Sequence, residues 1–165
     1  SGIFTTFLLS RRRPSAPSDM LENALTHEEF KPYFQPVISA KNHQLTGCEV
    51  LIRWHHPVSG IIPPDQFIPL AESTGLIAPI TQQLMFQVEH TLSSVAHLLP
   101  DQFHIGINIS PAHFLSPGLE DDCRKFLSAF PKGKVKLVLE PAIRHYRVKS
   151  VICQITSTGS FVRTG

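Results

Sequence analysis

Three stretches of this chain alternate apolar and other side chains, and each carries a polar group towards its C-terminal end on the non-apolar face. In an extended strand successive side chains take opposite faces. Over Gly47–Trp54 this puts Glu49, Leu51 and Arg53 on one face and Cys48, Val50, Ile52 and Trp54 on the other. At the strand Ile105–Ile109, Ile105, Ile107 and Ile109 oppose His104, Gly106, Asn108 and Ser110. Over Lys134–Glu140, Val135, Leu137 and Leu139 oppose Lys134, Lys136, Val138 and Glu140. Each strand therefore offers an apolar face to helices and a carboxylate, amide or guanidinium on its other face. Buried charge is costly unless it is paired or bound to metal. Polar residues at the C-terminal ends of parallel strands are where an α/β barrel builds its site.

The segments between these strands read as helices and turns. A helix capped by Ser18 or Asp19 runs to about His27–Glu29, with Leu21, Leu25 and Phe30 at helical spacing. A further strand covers Tyr33–Ile38, followed by a polar turn at Lys41–Thr46. His55–Pro64 reads as a loop, and Phe67–Thr74 and Pro79–Leu98 as helices. The second of these presents Ile80, Leu84, Val88, Thr91 and Val95 on its apolar face. Ser116–Phe130 is predicted helical. Strands alternating with helices imply βαβ units and a parallel sheet of about four strands. After Glu140 the texture changes. Pro141 interrupts a strand, and Ile143–Gly165 shows no sustained helical face, although Val148–Ile155 has the composition of a short strand. The tail is expected to pack poorly or to lie along an exposed sheet edge.

Composition excludes several classes of function. At 165 residues, 42% hydrophobic and 17% charged, the chain has the make-up of a globular domain. Its formal net charge of +2, with no basic stripe interleaved with aromatics, argues against a nucleic acid polymer as partner. Cys48, Cys123 and Cys153 are widely spaced and form no CxxC pair, so reduced thiols are expected, not a disulfide frame or a zinc site. Two carboxylates and an amide oxygen are a hard donor set suited to Mg²⁺ or Mn²⁺, and the planar fork of Arg53 suits a phosphate. Taken singly, a strand glutamate is more often a surface or salt-bridged residue and an asparagine more often a turn or cap group. It is the repetition on three strands that singles these out.

The wording of the chain is also familiar. Tyr33-Phe34-Gln35-Pro36-Val37, Glu49-Val50-Leu51-Ile52-Arg53-Trp54 and His56-Pro57 resemble the opening of EAL domains. The resemblance continues through Gly60-Ile61-Ile62-Pro63-Pro64, Phe67-Ile68-Pro69-Leu70-Ala71-Glu72, Gly75-Leu76-Ile77, Asn108-Ile109-Ser110 and Leu137-Val138-Leu139-Glu140. It spans about Leu21 to Glu140, with Val50 standing where the signature triplet has alanine. It implies an incomplete TIM-like (β/α) barrel, and hydrolysis of cyclic di-GMP to the linear dinucleotide with two Mg²⁺ or Mn²⁺ ions. By the same resemblance Glu49, Asn108 and Glu140 match metal ligands, and Gln35, Leu51 and Arg53 match positions lining the substrate pocket.

The departures bear on activity. Pro141-Ala142-Ile143 replaces the family's Ile/Leu-Thr-Glu, and the later aspartate pair, catalytic lysine, further metal-binding glutamate and terminal glutamine find no match. Asp121-Asp122 precede the fourth strand and read as a solvated helix face beside Arg124 and Lys125. The resemblance therefore implies residues 19–140 as the N-terminal part of an EAL domain, residues 141–165 as an atypical tail, and a truncated chain without activity of its own. The alternatives are a non-catalytic EAL-like module that binds nucleotide or a partner, and a non-functional frameshifted fragment.

Smaller features read blandly. His55-His56 suits a loop, because adjacent side chains diverge and no third ligand is near. Ser110 suits a hydrogen-bonding role, and Glu72 is left open between a pocket edge and a helix cap. Gly2–Leu9 followed by Arg11, Arg12 and Arg13 is expected to be the cytoplasmic end of a transmembrane helix leading into a linker up to residue 18. That implies an upstream anchor in a bacterial inner membrane with the EAL part cytoplasmic. The bland alternative is an arbitrary chain end. Homodimerisation is left open.

Overall fold

The computed structural model of the chain describes residues 17–141 and 150–165. The expected membrane flank, Gly2–Leu9 with its arginines, lies outside them. Among the described residues no helix is long and apolar enough to cross a membrane.

Helix α1 (Pro17–Thr26) opens on a proline, whose missing N–H costs nothing in a first helical turn. It closes where Glu28 turns left-handed at φ 53° and Glu29 N donates to Ala24 O at 2.9 Å. Strands β1 (Phe30–Ile38) and β2 (Leu45–His56) follow, then β3 (Gly60–Ile62) inside the segment expected to be a loop. Helices α2 (Ile68–Thr74) and α3 (Ile77–Ser93) lead to β4 (Phe103–Ile109). The one-turn α4 (Pro111–Phe114) and α5 (Leu119–Ser128) lead to β5 (Val135–Pro141), and the chain ends in β6 (Val151–Ile155) and β7 (Phe161–Thr164).

The sheet runs β1-β2-β4-β5-β6-β7, with β3 paired on β2. The expected α/β sheet with flanking helices is present, and among the described residues β2, β4 and β5 are the parallel neighbours. The count of about four parallel strands is the detail that differs, because β1 runs antiparallel to β2. Linker length is the reason. A parallel crossover needs a dozen or more residues, whereas Ser39 to Gln44 closes as a tight turn, with Ser39 N donating to Gln44 O at 2.8 Å. The two parallel steps are each bridged by helices, α2–α3 and α4–α5.

The apolar faces fall as the alternation required. Ile105, Ile107, Ile109, Val135, Leu137, Leu139, Cys48 and Val50 are buried in one cluster with Leu84, Met85, Val88 and Leu92 of α3 and Cys123, Phe126 and Leu127 of α5. A second cluster joins Leu21 and Ala24 of α1 to Phe30, Trp54 and Phe67. Helix α3 departs from its expected face in its last turns. Thr91 is exposed and Leu92 is buried in its place, since 3.6 residues per turn carry the stripe from Val88 to Leu92.

The described part of the tail, residues 150–165, follows one of the two alternatives expected for it. It does lie along the sheet edge, with β6 antiparallel on β5 and β7 antiparallel on β6. It is not poorly packed, because Val151 and Cys153 are only 5% and 2% exposed and belong to the main core. Their period-2 placement puts both on the apolar face of the sheet, which helical periodicity could not register.

All three cysteines are free and buried. Burial, with a smaller push from Glu49, raises the Cys48 thiol to about 11. A disulfide reagent at pH 8 should therefore titrate no thiol rapidly in the native protein and three after unfolding in urea. One fast native thiol would contradict the packing described.

Candidate functional site

On the sheet face away from the main core, the strand register brings the polar residues together. Glu49 of β2 pairs with Gly106 of β4, and one row further on Asn108 of β4 pairs directly with Glu140 of β5. Strand alternation places all four on the same face. The Glu49 carboxyl lies over Gly106 of β4, the strand that separates it from Glu140 on β5. Burial is the main reason that Glu49 is held above the ordinary carboxylate range, and the Glu140 contact and charge raise it further. Neighbouring carboxylates favour a proton or a cation between them. Among the described residues no three His, Cys, Asp or Glu side chains gather in one place. A cation between the two glutamates would thus depend on the Asn108 oxygen for its third side-chain donor.

The neighbouring strands extend the surface. Gln35 of β1 stands directly opposite Glu49, exposed, and Tyr33 stands opposite Leu51. Arg53 packs its guanidinium 5.9 Å from the centre of the Tyr33 ring, while its Nη1 donates to Ile52 O at 2.8 Å. Among the described residues no carboxylate is paired with it, which leaves the rest of its donor fork available. Arg53, Leu51 and Asn108 line a cleft of about 680 Å³ whose other wall is formed by Asp65, Ile68, Pro69 and Glu72. The structure thus brings all six expected site residues onto one face. Leu51, Arg53 and Asn108 open into the cleft, whereas Gln35, Glu49 and Glu140 lie outside its lining.

Several residues behave differently from their sequence reading. Glu72 serves in both of the places considered for it, lining the cleft and accepting at its backbone oxygen from Gly75 N at 3.3 Å where α2 ends. Ser110 does have a hydrogen-bonding role, accepting from His113 N at 3.3 Å as the N-cap of α4. His55 and His56 both belong to β2, not to a loop. His56 Nδ1 accepts from Val58 N and Ser59 N of the turn that follows at 3.1 and 2.9 Å, and His55 Nε2 meets the Tyr33 hydroxyl at 2.9 Å. Asp121 is exposed as expected, but Asp122 is half-buried and accepts from Gln82 Nε2 at 3.1 Å, with His113 Nε2 at 3.4 Å. Asp65 and Gly106 were missed. Asp65 follows two prolines in a segment that looked like plain loop, and Gly106 looked like a gap in a polar face.

With this geometry in place, comparison with known proteins gives a direct answer. The family model described as EAL domain matches residues 18–159. The chain belongs to the EAL domain family. This EAL chain is 58% identical over 117 residues to the cyclic di-GMP phosphodiesterase PdeL of Escherichia coli K12, covering 71% of the chain and 32% of that protein. It is 44% identical over 136 residues to the probable cyclic di-GMP phosphodiesterase PdeG of the same organism, covering 81% and 27%. Among solved structures, a PaMucR phosphodiesterase in complex with c-di-GMP superposes with a TM-score of 0.65 at 30% identity, covering 72% of this chain and 49% of that one. The EAL chain spans about a third or less of the length of these two curated relatives.

Proposed function

We propose that this EAL chain supplies one wall of a site that hydrolyses cyclic di-GMP to the linear dinucleotide. The observation that carries the reading is the meeting of Glu49, Asn108 and Glu140 on one sheet face beside the cleft of Arg53. Residues 19–140 hold all six residues assigned to this wall, and residues 141–165 are read as an atypical tail, although the family match runs on to residue 159.

The donor chemistry fits a divalent cation. The two glutamates stand on neighbouring rows of one sheet face, where a cation would relieve their mutual repulsion, and the adjacent amide adds a third hard oxygen. We assign Glu49, Asn108 and Glu140 as its holders, with Mg²⁺ or Mn²⁺ as the ions. When bound, such ions neutralise charge on a phosphodiester and acidify an attacking water. The chain's own groups then have separate tasks. Arg53 directs its free N–H groups at a phosphate oxygen, held in place by the Tyr33 ring and the Ile52 carbonyl. Leu51 offers an apolar surface to a purine, and Gln35 offers an amide at the open edge of the same face.

A binding-only role has one observation in its favour, namely that among the described residues no three His, Cys, Asp or Glu side chains gather to hold a metal ion. Equilibrium binding separates the readings from a scaffold role. Labelled cyclic di-GMP should bind the chain, and Arg53→Ala should weaken it roughly tenfold or more, the loss of a charge-assisted hydrogen bond at a partly buried phosphate. Equal affinity of the two proteins would remove the site from this cleft. Membrane attachment through Gly2–Leu9 and Arg11–Arg13, on the cytoplasmic side of a bacterial inner membrane, belongs to the same proposal and rests on the sequence flank alone.

A further inference from the structure

We infer that Gly106 is a positioning residue: its missing side chain is the passage through which the Glu49 carboxylate extends across β4 towards Glu140. The inference rests on the metal reading above. Glu49 and Gly106 are direct partners in the β2–β4 ladder, and Glu140 stands one row further along on β5. The Glu49 side chain therefore lies over the Gly106 backbone. A Cβ placed on Gly106 would stand 3.1 Å from Glu49 Oε1, 3.2 Å from Cδ and 3.3 Å from Oε2. These separations are tighter than ordinary van der Waals contact, and they involve the whole carboxyl group. A methyl would displace it by a few tenths of an ångström, and a branched side chain would close the route.

Backbone freedom does not account for this glycine. Gly106 is not among the glycines with positive φ, so an L-residue could adopt its strand conformation. Gly47 in the same ladder gives the contrast. It pairs with His104, and a Cβ there would run into the His104 backbone carbonyl and Cβ. Relief at Gly47 requires the strands to move apart; relief at Gly106 requires only the carboxylate to move. Substitution at Gly47 should register in stability, and substitution at Gly106 in ligand geometry.

The test is Mn²⁺ binding by the whole chain, followed by the electron paramagnetic resonance signal of the free ion, alongside thermal unfolding. Glu49→Gln should weaken binding strongly. Gly106→Ala should weaken it severalfold and Gly106→Val roughly tenfold, since displaced donors lose affinity steeply. Gly106→Ala should leave Tm nearly unchanged, whereas Gly47→Ala should lower Tm clearly. Glu49→Asp supplies a shorter acid that no longer spans Gly106. In that background Gly106→Ala should cost almost nothing, a non-additivity that a purely structural role would not produce. If Glu49→Gln weakens binding while both Gly106 variants bind as the parent does, the positioning role is overturned and the metal reading stands. If Gly106→Ala costs as much in the Glu49→Asp background, the positioning role is likewise overturned. Mn²⁺ binding that is absent, or indifferent to Glu49→Gln, overturns the metal reading together with this inference.

Discussion

Incubated with cyclic di-GMP and Mg²⁺ or Mn²⁺, the 165-residue chain is expected to release no linear dinucleotide above background. Hydrolysis in line at a phosphodiester needs the cations fixed, the phosphate oriented and water excluded, and groups acting as one constellation lose nearly everything when several members are missing. The described residues bring Glu49, Asn108, Glu140 and Arg53 to a single sheet face, with Asp65, Ile68, Pro69 and Glu72 on an opposite wall beside Arg53 and Asn108. The complementary experiment places residues 18–141 in the equivalent position of a full-length relative such as PdeL, to which the chain is 58% identical over 117 residues. That chimera is expected to turn over the substrate, and Glu49→Ala within it to reduce turnover on the order of a thousandfold or more, because a half-buried carboxylate that organises charge is removed outright. Chromatography of the products decides both arms. Steady turnover by the 165 residues alone, abolished by Glu49→Ala, would show that one wall suffices. A chimera indifferent to Glu49→Ala would remove this glutamate from the chemistry.

Leu137→Ala is expected to destabilise the chain by about 3 kcal/mol, within the roughly 2–5 kcal/mol seen when a fully buried leucine leaves a cavity. Leu137 is 0% exposed, at the centre of β5, with Ile105 beside it on β4 and Cys153 on β6. Three strands would line the resulting void, and backbone pairing on both sides limits how far they could collapse into it. A domain of this size is stable by only about 5–15 kcal/mol, so the loss should be visible as a large drop in the urea midpoint with an unchanged slope. Leu115, 83% exposed, provides the internal comparison, and Leu115→Ala should change stability by less than about 0.5 kcal/mol. Equal midpoints for the two variants would mean that β5 is not the centre of the core.

The two expectations draw on different parts of the molecule, and those parts were not equally legible in the chain. Ile105, Ile107 and Ile109, with Leu137 and Leu139, announced the core face by alternation alone, and the fold buries all five. Glu49, Asn108 and Glu140 announced the opposite face in the same way, and they do share it. Gly106 was invisible as a site residue, because a glycine displays nothing; its part comes from the carboxylate lying across it. Asp122 read as solvated because its neighbours Asp121, Arg124 and Lys125 are. Gln82, forty residues away, and His113 draw it into contact.

Which way each side chain points was therefore settled by the sequence itself, since alternation along a strand and the 3.6-residue turn of a helix are local properties of the backbone. Strand direction and neighbourhood were decided only in the tertiary structure. The turn from Ser39 to Gln44 returns β1 antiparallel to β2, and the last two strands fold back as a hairpin onto β5. Nothing in the period of Val151 and Cys153 shows that β5 has an edge for them to cover. Their burial depends on partners far away in sequence, and local pattern carries no information about which distant edge a strand will find.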